Sequence, residues 1–101
     1  MTKEKIITEI KKYFGLNVHS DYSRYYVGIT NDVNRRLFTE HNVSEKKDYW
    51  IWRQANDKET AQNVEEYFLS LGMDGDTGGG TAETVFVYCY MITDASIEST
   101  D

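Results

Sequence analysis

Tyr25-Tyr26-Val27-Gly28-Ile29-Thr30 runs directly into Asn31-Asp32-Val33-Asn34-Arg35-Arg36-Leu37-Phe38-Thr39-Glu40-His41, and this junction decides the reading of the chain. The first six residues are mostly strand formers. Gly28 interrupts them where a side chain would block a close approach. Asn31 is placed to cap a helix over 31–41, and Asp32 puts negative charge at its positive end. A strand, a glycine, a helix start and paired arginines form a scaffold that suits a phosphate.

Helical angles separate the two arginines. At about 100° per residue from Val33, the buried face of Val33, Leu37 and Phe38 centres at roughly 50°. Arg36 falls at about 300°, on the flank of that face, and Arg35 at about 200°, in solvent. Arg36 is therefore the arginine that can reach the sheet edge. Its competing role is a surface pair with Glu40 at i,i+4, worth a few tenths of a kcal/mol.

Outward from this junction, residues 2–14 pattern as an amphipathic helix with Ile6, Ile7, Ile10, Tyr13 and Phe14 on one stripe. Thr2 is its cap and Gly15 its stop. Leu16 to Arg24 is ambiguous, and His19 within it reads as a lone surface histidine. Asn42 to Asp48 is a charged loop. Tyr49 to Ala55 is a second strand, with Trp50 and Trp52 on one face, most simply the core; a nucleobase-stacking platform is the alternative.

Asn56-x-x-Glu59 is a capping-box arrangement opening a helix that runs to about Leu71. With Ala61, Val64, Phe68 and Leu71 as its stripe, Glu65 borders the buried face and Glu66 points to water. A carboxylate there needs a donor, an arginine or a metal ion. Otherwise Glu65 is a boundary residue whose head reaches water. Residues 72–84 hold five of the seven glycines and read as a connection. They match neither a nucleotide P-loop nor a calcium loop. Val85 to Thr93 is a third strand, apolar enough to be buried on both faces. Residues 94–101 read as a flexible polar tail.

The 101 residues suit one domain, 1–101, with residues 2–14 an added N-terminal helix. The expected fold class is α+β: a small three-stranded, mostly antiparallel sheet flanked by about three helices. No apolar run approaches a membrane span, and the first residues lack the apolar core of a signal peptide. Cys89 is the only cysteine, so it has no internal disulfide partner and reads as a packing residue. A reducing, cytoplasmic setting is the expectation. The net charge is −6, which argues against indiscriminate nucleic-acid binding. It is unevenly spread. Residues 54–101 carry one lysine against ten acidic residues, and residues 24–53 carry six basic against four acidic.

Tyr26-Val27-Gly28, Arg36 eight residues after the glycine and Glu65 on a later helix resemble the GIY-YIG nuclease superfamily. The resemblance covers Tyr25 to Tyr67. It implies a phosphodiester-hydrolysing DNA endonuclease. Glu65 would hold one Mg²⁺ or Mn²⁺, Arg36 would stabilise charge on the phosphate, and Tyr26 or Tyr88 would draw a proton from water. His41 sits near a position that often carries histidine in the family. The family opens with a Gly-Ile-Tyr strand about ten residues before the second motif, and nothing between Tyr13 and Tyr25 spells it. Either that strand is lost, leaving a binding or protein-interaction module, or Val85–Thr93 fills its place from the other end of the chain. The second option requires Tyr88 or Tyr90 to lie beside Tyr26 and Arg36. A nuclease of this size also calls for a second module or a homodimer to grip DNA.

Overall fold

The computed structural model of the chain describes residues 1–75 and 81–97. Its architecture is α+β, with a four-stranded mixed sheet and three helices. Helix α1 (Lys3–Phe14) begins at Thr2, whose side chain accepts from Lys5 N, and ends at Gly15 in the left-handed conformation, φ 67°. A short 3-10 turn, Tyr22–Arg24, leads into β1 (Tyr25–Thr30). A π-helix (Arg35–Glu40), β2 (Trp50–Gln54), α2 (Lys58–Ser70), β3 (Asp74–Gly75) and β4 (Phe86–Met91) follow.

The strand order is β2-β4-β1-β3. β4 lies between β1 and β2 and is antiparallel to both, while β3 pairs parallel to β1. The central position of β4 explains its unbroken apolar run, since both of its faces are covered. Strand alternation then sorts the core. Val27, Ile51, Val87 and Cys89 face α1 and α2, packing with Ile6, Ile10, Val64 and Phe68. Tyr26, Tyr88 and Tyr90 face the other way, packing with Leu37 and Val43. Cys89 is fully buried, and burial pushes its thiol pKa well up, as suits a packing residue.

Five expectations need correction. The sheet has a fourth strand, β3, inside the segment expected to be only a connection. Two residues carry no strand pattern; Gly75 fits because a Cβ there would come within 2.6 Å of Val27 O. The rest of the expected glycine loop, 76–80, lies outside the described residues. The cap after β1 is Asp32 rather than Asn31, its Oδ1 accepting from Arg35 N at 3.1 Å. Asp57, not Asn56, caps α2, accepting from Thr60 N at 2.8 Å. Asn56 instead accepts from the N-terminal ammonium at 2.9 Å. Trp52 is not a core residue: β2 is an edge strand and Trp52 is 41 % exposed. Finally, the expected flexible tail is anchored as far as it is described. Asn42 Nδ2 donates to Ala95 O at 3.0 Å, and Ile97 N donates to His41 O at 2.7 Å. Residues 98–101 lie outside the described residues. No helix among the described residues is long and apolar enough to cross a membrane.

Candidate active site

The antiparallel register sets the site. Tyr26 stands directly opposite Tyr90, and Gly28 directly opposite Tyr88. All four face the side of the sheet away from α1 and α2. Gly28 leaves room for the neighbouring ring: a Cβ there would sit 2.4 Å from both Cζ and Oη of Tyr88. The Tyr88 phenol therefore lies across the β1 backbone. Tyr26 stacks on Tyr90 with centroids 5.2 Å apart and on Tyr88 at 6.3 Å. Both distances meet the Tyr26 half of the condition set for β4.

His41 closes this aromatic cluster from above, its ring 4.6 Å from that of Tyr26. It gets there through the π-helix. His41 N bonds to Arg36 O at 2.9 Å, five residues back. That spacing brings residues five apart one above the other, where an α-helix would set them well apart. Arg36 and His41 thus share one face, although α-helical angles separate them.

The hydrogen bonds around His41 have a direction. Nδ1 lies 2.5 Å from the Ile97 carbonyl oxygen and 3.0 Å from Tyr90 Oη. A carbonyl only accepts, so Nδ1 carries the proton. In neutral imidazole Nε2 is then bare, and it lies 2.8 Å from Tyr88 Oη. The Tyr88 hydroxyl accordingly donates to Nε2, and its oxygen accepts from Arg36.

Arg36 serves two partners. Its Nη1 meets Glu40 Oε1 at 2.6 Å, the i,i+4 pair that the sequence offered as its alternative role. It also hydrogen-bonds Tyr88. Desolvation pulls the guanidinium pKa down, but Tyr88 and Glu40 outweigh it, so Arg36 remains a cation. Arg35 pairs with Glu40 from the solvent side and has more than half of its side chain exposed. The angular choice of Arg36 over Arg35 matches this geometry.

Glu65 lies on α2 at 3 % exposure, while Glu66 is exposed. The Glu65 charge raises the pKa of Tyr88 slightly. Burial pushes the Tyr88 phenol up to about 12, Arg36 draws it back, and Glu65 and Glu40 add to the rise. Arg36 and His41 therefore bond one hydroxyl, and Glu65 bears on it through charge. His19 is exposed, as a lone surface histidine would be.

No family model matches the chain, and no curated protein or solved structure matches it.

Among the described residues no group of three or more His, Cys, Asp or Glu converges on a metal position. One carboxylate is closer to the sparse protein ligation of Mg²⁺ than to the three or four ligands of zinc, but at 3 % exposure Glu65 takes such a hydrated ion only if its surroundings open. Sequence reasoning offered Tyr90 only as an alternative to Tyr88, and it missed the Ile97 carbonyl. The two tyrosines were readable together, since Tyr88 and Tyr90 are two apart in one strand and must share a face. The carbonyl was not, because a backbone carbonyl leaves no mark on sequence.

Proposed function

We propose that the chain is a metal-assisted DNA endonuclease of the GIY-YIG type, with β4 supplying from the C-terminal side the tyrosine strand that the family carries at its start. One observation carries this reading: Arg36 and His41 bond the Tyr88 hydroxyl, which lies over Gly28, with the charge of the buried Glu65 bearing on it. In the proposed reaction a water loses a proton to the Tyr88 oxygen as Tyr88 passes its own proton to His41 Nε2. The hydroxide forms a bond to phosphorus, the bond from phosphorus to the 3′ oxygen breaks, and the leaving oxygen takes a proton from solvent. Arg36 stabilises the charge that grows on the phosphoryl oxygens. Glu65 would hold Mg²⁺ or Mn²⁺, which supplies Lewis-acid polarisation of the phosphate and charge for the leaving oxygen. Tyr26 supports the ring of Tyr88 by stacking.

A second reading is a non-catalytic binding or protein-interaction module that keeps the scaffold. It is favoured by the burial of Tyr26 (2 %), Tyr88 (0 %) and His41 (0 %), and by the pairing of Arg36 with Glu40. Incubation of purified protein with supercoiled, linear and single-stranded DNA in Mg²⁺ or Mn²⁺ separates the two. The nuclease reading expects cleavage, lost by roughly a hundredfold or more in Glu65→Ala and in Arg36→Ala. Failure of the wild-type chain to cut any form leaves the binding module.

A further inference from the structure

The segment after β4 does more than fill a groove. Thr93 to Ser96 closes a turn on itself, with Ser96 N donating to Thr93 O at 3.2 Å and Thr93 N donating to Ser96 Oγ at 3.1 Å. This turn is tied to the end of the π-helix by Asn42, the only described non-glycine residue with positive φ, at 57°. An asparagine tolerates that conformation, and its amide reaches Ala95 O. The next residue but one, Ile97, grips His41 twice, donating its N–H to the His41 carbonyl and accepting from Nδ1. The Ile97 side chain itself is 48 % exposed, so the segment is not held here by apolar burial. It is held by hydrogen bonds, two of which fall on one histidine.

We propose that Thr93–Ile97 is a positioning strap whose backbone carbonyl at Ile97 locks His41 in the Nδ1–H tautomer. Ring-nitrogen roles in histidine are set by the bond that the other nitrogen makes. Tyr90 cannot do this alone, because a hydroxyl donates or accepts with equal ease and fits either tautomer. The Ile97 carbonyl admits only one. With it in place, Nε2 has to accept from Tyr88. Without it, Nε2–H is free to form and point its proton at the Tyr88 oxygen, and Tyr88 can no longer pass a proton to His41. The catalytic consequence rests on the phosphodiesterase reading; the tautomer does not.

The test is nitrogen-15 NMR of the imidazole in the full chain, with His19→Asn so that one histidine remains. The expected spectrum has Nδ1 in the protonated range and Nε2 in the bare range. A chain ending at Ser96 should shift towards the Nε2–H pattern. A full chain already in the Nε2–H form overturns the proposal. So does a truncated chain that keeps Nδ1–H, which assigns the control to Tyr90. If the truncated chain does not fold, Asn42→Gly decides: it keeps the backbone free of strain and removes only the anchor to Ala95. A shift in the same direction supports the strap, and an unchanged spectrum overturns it. Where the intact chain cleaves DNA, truncation should lower kcat and leave KM for DNA in place. Absence of cleavage by the intact chain counts against the nuclease reading alone, since the imidazole spectrum is read without substrate.

Discussion

Gly28 and Tyr88 face each other across β1 and β4, and the phenol ring of Tyr88 occupies the space that a Cβ at Gly28 would need. The two positions are therefore one structural unit. Both groups are pinned: the glycine is backbone in the middle of a sheet, and the ring end is bonded to His41. Neither yields cheaply. Gly28→Ala should destabilise the fold by roughly 1–3 kcal/mol through overpacking. In a Tyr88→Leu background the same change should cost much less, and the difference is the coupling of the pair. Denaturant unfolding of the four chains measures it. Equal costs in both backgrounds would show that the glycine serves something other than the ring.

Tyr88 also makes stability depend on pH in a defined window. Its folded pKa is raised from 10.0 to about 12, burial being the main cause. A phenol that is harder to ionise in the folded state binds more protons there than in the unfolded chain between those values. Stability from this group is fully present below about pH 10 and is lost as pH rises towards 12. The loss amounts to roughly 2–3 kcal/mol. Urea melts at increasing alkaline pH should show that decline, and Tyr88→Phe should flatten it while the other tyrosines keep their share.

The sequence carried the site's side chains better than its geometry. Helical angles chose Glu65 over Glu66 because α2 keeps the α-helical period, whereas the choice of Arg36 over Arg35 agrees with the structure although its segment is a π-helix of different period. The long apolar run of Val85–Thr93 was enough to put β4 inside the sheet. What could not be read were features set by tertiary contact. β3 is two residues long and exists because β1 offers it an edge. The π-helix has no residue signature, and its five-residue spacing is what carries His41 over Tyr88. Trp52 looked like core because its strand alternates correctly, yet strand alternation does not say which strand lies at an edge. Asn31 and Asp32, and again Asn56 and Asp57, are adjacent residues that can both cap; which one does so depends on the angle at which the chain leaves the preceding strand.

Glu65 allows a direct test of the proposed metal. Among the described residues it is the one carboxylate that is buried and electrostatically coupled to Tyr88 on the far helix. Glu65→Gln keeps the shape and removes the charge. It should lower Mn²⁺ affinity by at least about tenfold, or ~1.4 kcal/mol, seen as loss of paramagnetic broadening around α2 and β4. Glu66→Gln, on the exposed side of the same helix, should leave the broadening in place. Equal broadening in the two variants would move the cation elsewhere on the acidic surface.

Arg36 and Glu40 press on Tyr88 in opposite directions, and that opposition can be measured. The guanidinium favours the phenolate by charge and by hydrogen bond, whereas the Glu40 carboxylate disfavours it. Arg36→Met should therefore move the Tyr88 titration further up, and Glu40→Gln should move it down, both read as tyrosinate absorbance against a Tyr88→Phe blank. The same pair predicts binding. Glu40 meets Arg36 at 2.6 Å and Arg35 at 2.9 Å, so it neutralises the positive charge that a phosphate would meet first. Glu40→Gln should free that charge and tighten binding of a short DNA oligonucleotide by several-fold, with a steeper salt dependence because one more phosphate contact releases one more counterion. Were the affinity and its salt slope both unchanged, Arg36 would be a structural partner of Glu40 and Tyr88 and would not face the nucleic acid.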